Sequence, residues 1–144
     1  APADAFDAVL AAGVTRGLTL LCLNPDLVSV QPDGTLAYCA GTYAARYRRM
    51  GGEVRTWGKP DRAIYTAALA AAPGWRRGLA IGDSLTHDIA GGVAAGLDTL
   101  FITCGVHWPD LAPSPLATAD PARLEALLVR HDVRPSLVAA TLRW

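Results

Sequence analysis

Several residue types are scarce in this 144-residue chain, and cysteine is one of them. The sequence holds three widely spaced cysteines and no Cys-x-x-Cys motif. An odd, dispersed set of thiols excludes a disulfide framework, argues against a zinc site and favours a reducing, cytoplasmic location. No apolar run approaches the roughly 18 residues of a membrane helix, and no basic-then-apolar leader pattern is seen, so neither a membrane span nor a signal peptide is expected.

Excess charge of either sign is also absent, because 13 basic residues balance 13 acidic ones. A neutral chain lacks the basic field that attracts nucleic acid or an anionic membrane, so neither is expected as a partner. Hydrophobic residues make up 51% of the chain and charged residues 18%. That balance excludes a disordered protein and supplies enough apolar material for a folded core.

Lysine is the scarcest basic residue, since Lys59 is the only one and all the other basic residues are arginine. Arginine serves at most surface positions, whereas a compact ammonium is needed where a point charge takes part in chemistry. Lys59 lies in the triplet Gly58-Lys59-Pro60, directly before a helical pattern. It either steadies a phosphate or a carboxylate nucleophile or is a solvated turn residue.

Helical and strand patterns alternate from Asp61 onward, which predicts an α/β fold with a parallel sheet. We expect helices over 4–12, ending at Gly13, and over 42–50, 61–72, 85–95 and 121–130. Strands are expected over 18–23, 36–39, 54–57, 78–81 and 97–103, a proline-rich loop over 108–119 and a short tail with a helical tendency over 135–144.

Two carboxylates follow the predicted strand over 78–81. Asp83 comes directly after it, and Asp88 lies five residues on, in the first turns of the next helix. Chemistry in parallel sheets lies at the carboxyl ends of strands, where two carboxylates suit Mg²⁺. The alternative is that they cap the helix and complement its dipole. The neighbouring βα elements should bring Lys59 and Asp83 to the same end of the sheet.

These motifs resemble those of the haloacid dehalogenase (HAD) superfamily. Gly58-Lys59-Pro60 resembles its third motif, and the run over 81–89 resembles its fourth. The turn Asn24-Pro25-Asp26, followed by Asp33-Gly34 and Gly41, resembles the class IIA subfamily of nitrophenylphosphatase-like and pyridoxal-phosphate-phosphatase-like proteins. The resemblance covers nearly the whole chain. It implies part of a HAD-like Rossmannoid sheet, the last two core strands with their helices, together with part of an α/β cap.

The resemblance also implies a domain division, with residues 1–57 as the C-terminal part of the cap and 58–144 as the C-terminal part of the core. The family's first motif, a strand ending in Asp-x-Asp that supplies the nucleophile, is not found, because Asp4 and Asp7 follow no buried strand and Asp33 lies in a turn. We therefore expect the chain to be the later portion of such a protein and to be inactive by itself.

The activity that the resemblance implies is Mg²⁺-dependent hydrolysis of a small phosphorylated metabolite through an aspartyl-phosphate. Asp83 would be the Mg²⁺ ligand, Asp88 would support the metal or the lysine, and Lys59 would contact the nucleophile and the phosphoryl group. Asn24 and Asp26 either face the substrate or form an Asx-Pro turn.

Alternatives to this interpretation stay open. A non-catalytic binding or assembly module of HAD-like ancestry also fits, and so does a homodimer. A Rossmann-like nucleotide binder is disfavoured because no Gly-x-Gly-x-x-Gly follows a strand. His107 follows the last predicted core strand at the same edge of the sheet, where a structural role is favoured.

Overall fold

The computed structural model describes residues 2–31, 33–114 and 117–142. It divides into two compact units, Ala1–Gly58 and Lys59–Trp144. The predicted α/β class is confirmed, while the assignment of the two parts to cap and core stays a prediction. No helix in these three ranges is long and apolar enough to cross a bilayer.

The first unit combines two helices with two small two-stranded sheets. Strands β1 and β4 pair in parallel, and β2 and β3 pair antiparallel. In chain order the elements are α1 (Asp7–Thr15), β1 (Leu20–Cys22), β2 (Val28–Val30), β3 (Leu36–Tyr38), α2 (Ala40–Arg49) and β4 (Val54–Thr56).

Helix α1 continues past Gly13, so the predicted end at that residue is wrong. A Cβ on Gly13 would lie 3.1 Å from the hydroxyl oxygen of Tyr47, and the glycine therefore makes room for the tyrosine of α2. That hydroxyl donates to the Leu18 carbonyl at 2.5 Å. The helix ends at Thr15, and Gly17, two residues further on, has a φ of 65°, which suits a residue without a side chain.

The apolar run over 18–23 forms a shorter and less buried strand than expected. Only Leu20–Cys22 is a strand, and its burial alternates: Cys22 is 2% exposed and Leu21 61%. A continuous apolar run of this kind predicts a buried strand. In the described part of the chain it is covered on one face, which is the face that carries Cys22.

The second unit is a three-stranded parallel sheet, ordered β5-β6-β7, with helices packed on one face. Its elements are α3 (Arg62–Ala70), β5 (Leu79–Gly82), a π-helical turn (Leu85–Ile89), α4 (Ala90–Ala94), β6 (Asp98–Ile102), α5 (Trp108–Leu111), α6 (Pro121–His131) and β7 (Leu137–Ala139).

The helical tendency assigned to the tail is wrong, because the tail supplies strand β7 and gives the sheet a third strand. Two hydrogen bonds fix its start: the Thr99 N–H donates to Ser136 Oγ at 3.1 Å, and the Ser136 N–H donates to Thr99 Oγ1 at 3.0 Å. Tertiary pairing with β6 outweighs local preference in so short a segment. Residues 143 and 144 of the predicted tail lie outside the described residues.

The segment over 108–119 begins with helix α5 and is therefore not wholly a loop. Its Leu111 is fully buried, and this demand for burial brings the segment onto the core. Residues 115 and 116 lie outside the described ranges. The buried core lies between the sheet and its helices and consists of Leu85, Ile89, Phe101, Leu111, Leu127, Leu128 and Val133.

The opposite face of the sheet is open in the described chain. Leu79 and Ile81 of β5 are 45% and 42% exposed, and Leu137 of β7 is 55% exposed. The register aligns Ile81 with Leu100 and Leu100 with Leu137, so the three side chains form one apolar row across the sheet. Parallel sheets are normally covered on both faces, which makes this row unusual in solution.

Candidate active site

The chain after β5 turns sharply before it continues as a helix. A single helix was expected over 85–95, but a π-helical turn precedes α4, a local geometry that is frequent at functional sites. Ser84 begins the turn, and its hydroxyl oxygen accepts the His87 N–H at 3.3 Å. The polar side chains of interest surround this turn.

Asp88 is the most enclosed charged group of the site, with 7% of the residue exposed. Its Oδ1 lies 2.5 Å from the ammonium nitrogen of Lys59. Its Oδ2 accepts the backbone N–H groups of Asp83, at 3.2 Å, and Ser84, at 3.0 Å. Both oxygens are therefore engaged within the chain. A Cβ on Gly82 would lie 2.2 Å from the carboxylate carbon, so this glycine admits the aspartate.

Asp83 is held differently, by the turn that follows β6. Its Oδ2 accepts the Val106 N–H at 2.8 Å. Within the described ranges, its Oδ1 takes no hydrogen bond. Gly105 lets the two segments meet, since a Cβ there would lie 2.0 Å from the Asp83 side chain. Asp83 is thus the carboxylate that is fixed in place and retains an oxygen for a ligand.

The donor set fits one protein ligand to a magnesium ion. No three His, Cys, Asp or Glu side chains of the described residues gather into a metal-binding cluster. Mg²⁺ needs no such cluster, because it keeps several waters and takes one or two carboxylates together with substrate oxygens. The remaining oxygen of Asp83 is a donor of this kind, whereas Asp88 is engaged with Lys59 and the loop.

Tyr65 of α3 supports the π-helical turn and was missed in the sequence. Its hydroxyl lies 3.1 Å from the His87 carbonyl and 3.2 Å from the Asp88 carbonyl, and it donates to them. Burial raises the pKa of Tyr65, and the nearby Asp88 charge raises it further. A Cβ on Gly91 would lie 2.3 Å from that hydroxyl. The sequence signal for this contact is the glycine pair 91–92 in α4, because the missing side chain at Gly91 leaves room for Tyr65 of the preceding helix.

His107 contacts the other side of the same loop. Its Nε2 accepts the Leu85 N–H at 3.3 Å, and its ring packs edge-on against Phe101 and His131 at centroid distances of 6.0 and 5.2 Å. Burial lowers the pKa of His107, and the neighbouring His131 lowers it further. The neutral imidazole is the form that can accept this hydrogen bond.

Asn24 and Asp26 belong to the first unit and form a turn there. The Asp26 N–H donates to Asn24 Oδ1 at 3.1 Å, which is an Asx turn. Gly41 allows the close approach of the Pro25 carbonyl, which a Cβ would meet at 2.0 Å. The local geometry is that of the Asx-Pro turn, and a substrate contact by either residue stays a prediction.

The structure thus brings three of the predicted site residues together within the second unit. Lys59 pairs directly with Asp88, and Asp88 in turn accepts the backbone N–H of Asp83. The expected shared position of Lys59 and Asp83 is therefore built through Asp88. Their roles in binding and catalysis stay predictions.

This arrangement is an α/β domain with two carboxylates and a lysine at the carboxyl end of a parallel strand, and comparison with known proteins gives the family. Residues 56–143 match the family model described as HAD-hydrolase-like. The chain belongs to this family, which confirms the resemblance drawn from its motifs.

Curated relatives point to phosphatases in particular. The chain is 32% identical over 133 residues to the D-glycerol 3-phosphate phosphatase of Mycobacterium tuberculosis, a match that covers 91% of this chain and 35% of the relative. It is 28% identical over 94 residues to the dihydroxyacetone phosphatase of Corynebacterium glutamicum, covering 65% of this chain and 34% of that protein. The chain therefore spans about a third of the length of these relatives.

Solved structures agree. A hydrolase of the haloacid dehalogenase-like family from Brucella suis 1330 superposes with a TM-score of 0.72 and 32% identity, covering 99% of this chain and 51% of that one. Glycerol phosphate phosphatase from Mycobacterium tuberculosis, solved in complex with magnesium, gives a TM-score of 0.58 and 29% identity, covering 92% and 36%. Together these matches fit a class IIA HAD protein.

Proposed function

We propose that this chain provides the magnesium- and lysine-bearing part of a phosphatase active site. The observation that carries the proposal is the unequal use of two carboxylates after β5: Asp88 is fully engaged, and Asp83 keeps one oxygen available. A pair that only capped the helix would need no lysine. The ion pair at 2.5 Å between Lys59 and Asp88 favours an assembled site over a solvated turn.

Each residue then has a distinct task. Asp83 holds Mg²⁺, which when bound neutralises charge on the phosphoryl group. Lys59 presents a second positive charge to the phosphoryl group, and 40% of its side chain stays exposed although its ammonium pairs with Asp88. Asp88 fixes both the lysine and the Asp83 loop. Positioning and charge neutralisation supply most of the catalysis of phosphoryl transfer.

The nucleophile is proposed to come from polypeptide outside these 144 residues. In the HAD mechanism an aspartate attacks phosphorus, the ester oxygen leaves with a proton, and water hydrolyses the aspartyl-phosphate. The aspartates considered for this role in the sequence, Asp4, Asp7 and Asp33, lie in or beside α1 and in the turn between β2 and β3. We infer that the chain alone does not turn over phosphate esters.

The proposed substrate is a small phosphorylated metabolite, such as a three-carbon phosphate ester. This follows from the names of the two curated relatives, which act on D-glycerol 3-phosphate and on dihydroxyacetone phosphate. We place the protein in the cytoplasm, as its unpaired thiols predict. A homodimer is compatible with the open sheet face.

The test is phosphatase activity of the polypeptide that carries these residues together with the nucleophile strand. Glycerol 3-phosphate, dihydroxyacetone phosphate and p-nitrophenyl phosphate are assayed with Mg²⁺ for wild type, Lys59→Arg and the control Arg62→Lys. Arg62 is the exposed first residue of α3, so its replacement by lysine should leave the activity unchanged.

We expect turnover in wild type and in Arg62→Lys, and loss of most of it in Lys59→Arg, because a guanidinium cannot replace a compact ammonium beside Asp88. Full activity in Lys59→Arg would contradict the catalytic role of Lys59 and favour the alternative that it is a solvated turn residue. No hydrolysis of any ester by wild type would favour the non-catalytic module. Turnover by the 144-residue chain alone would place a nucleophile inside it.

A further inference from the structure

We propose that His107 is a positioning residue that sets the direction of the Asp83 carboxylate through a hydrogen bond to the Leu85 amide. The inference rests on the proposed function, in which Asp83 holds Mg²⁺. It goes beyond the motif residues, because His107 belongs to the turn after β6 and not to the loop that carries the carboxylates.

Three successive backbone N–H groups of the loop are held by two side chains. Asp88 accepts the first two, those of Asp83 and Ser84, at 3.2 and 3.0 Å. His107 Nε2 accepts the third, that of Leu85, at 3.3 Å. Without the imidazole this third donor would face a largely apolar surrounding, since Leu85 itself is fully buried.

The turn that carries His107 also holds the Asp83 side chain. The Val106 N–H donates to Asp83 Oδ2 at 2.8 Å, one residue before His107. The two contacts therefore hold the loop on either side of Ser84: Val106 binds the carboxylate of Asp83, and His107 binds the backbone N–H of Leu85. If the Leu85 contact is lost, the start of the π-helical turn can shift, and the Val106 contact with Asp83 loosens with it.

The chemistry of this position calls for a histidine in its neutral form. A neutral imidazole has one acceptor nitrogen and one donor nitrogen, and its ring packs like an aromatic residue. His107 uses the acceptor for Leu85 and packs its ring against Phe101 and His131. Burial lowers the pKa of His107, which keeps the acceptor available. A phenyl ring would reproduce the packing but not the hydrogen bond.

The experiment separates packing from hydrogen bonding by comparing His107→Phe, His107→Gln and the control His131→Phe in the 144-residue chain. His107→Phe keeps an aromatic ring, and His107→Gln keeps an acceptor oxygen. His131→Phe alters the ring that packs on His107 and leaves the Leu85 hydrogen bond in place. Thermal unfolding establishes that each variant is folded. Amide hydrogen exchange at micromolar concentration then reports on Leu85 and Val106 individually, and a Mg²⁺ titration reports on Asp83.

In His107→Phe we expect the Leu85 amide to exchange about tenfold faster, the size of one lost hydrogen bond, and the Val106 amide to follow. We expect Mg²⁺ affinity to fall about tenfold, as for the loss of other groups that orient a metal ligand. His107→Gln should recover most of both effects, and His131→Phe should match wild type. A purely structural role would instead favour the phenyl ring over glutamine.

The outcomes separate this inference from the proposed function. Wild-type exchange at Leu85 and Val106 in His107→Phe would overturn the positioning role, whatever Mg²⁺ does. Recovery by phenylalanine and not by glutamine would overturn it also. A wild-type chain with no response to Mg²⁺, but with the expected exchange pattern, would contradict the magnesium role of Asp83 and leave His107 as the residue that orders the loop.

Discussion

Replacement of Asp88 by asparagine tests how the second unit holds its loop. The carboxylate accepts a hydrogen bond from Lys59 through one oxygen and two backbone N–H bonds through the other. Asparagine has the same shape but only one acceptor oxygen. Whichever way its amide turns, its NH₂ group faces a donor, either the Lys59 ammonium or the backbone N–H groups of Asp83 and Ser84.

The cost can be worked from these contacts. A hydrogen bond to a charged group contributes about 1.5–3 kcal/mol, and a buried donor left unpaired costs about as much. Lys59 keeps 40% of its side chain exposed and recovers water, so the lower part of that range applies if asparagine keeps its oxygen toward the loop. We expect Asp88→Asn to lower the free energy of unfolding by about 2 kcal/mol and Tm by roughly 10 °C.

Urea unfolding of wild type, Asp88→Asn and the control Asp110→Asn measures this difference. Asp110 pairs with Arg130 at 3.1 Å, but the two side chains are 55% and 60% exposed, so its loss should cost less than about 0.5 kcal/mol. If Asp88→Asn proves as mild as Asp110→Asn, the enclosed three-donor contact does not stabilise the loop and the reasoning fails.

Two further predictions concern other parts of the chain. The open row of the sheet should make the 144-residue chain self-associate, and Ile81→Thr should reduce the mass measured by light scattering; an unchanged mass would exclude this face. The hydrogen bond from Arg46 lowers the pKa of Asp7 below its ordinary value of 3.8, so the pair should stabilise the fold above that pH and cease to do so as pH falls through the lowered pKa. Asp7→Asn should therefore be less stable than wild type at neutral pH and equal to it in acid, and a constant difference at all pH values would refute the linkage.

The α/β class was predictable because it depends on local patterns. The apolar runs that became β5 and β6, and the helix that begins after Asp61, can each be read from a few consecutive residues. The family was predictable for a similar reason, since its third and fourth motifs are contiguous in the chain. The placement of Lys59 and Asp83 on neighbouring βα elements predicted that both lie at one end of the sheet, and the structure joins them through the ion pair of Lys59 with Asp88.

The features that were predicted wrongly or missed depend on residues that are far away in the chain. Strand β7 exists because β6 offers it a free edge and Ser136 exchanges hydrogen bonds with Thr99, and three apolar residues alone do not encode that. Helix α1 continues past Gly13, where Tyr47 of α2 packs beside the glycine, and the sequence does not indicate that contact. The support of the π-helical turn by Tyr65 likewise requires knowing which helices pack together.

The candidate site likewise has features that local sequence predicted and features that depend on residues far away in the chain. The residue types and spacing of Asp83 and Asp88 indicated a pair of carboxylates at a strand end. They did not indicate which one is engaged, because that depends on the Val106 amide and the Lys59 ammonium reaching them from other elements. Only the folded arrangement distinguishes the carboxylate that holds the loop from the one proposed to hold the metal.

The most direct test of the central claim is the Mg²⁺ dependence of turnover in the complete polypeptide with Asp83→Asn. The matched control is Asp98→Asn, which changes an aspartate at the start of β6, where it pairs with Arg77 at 2.8 Å. Wild type and Asp98→Asn should both hydrolyse phosphate esters with rising Mg²⁺, and Asp83→Asn should stay folded and inactive at every Mg²⁺ concentration. Full Mg²⁺-dependent activity in Asp83→Asn would contradict the account.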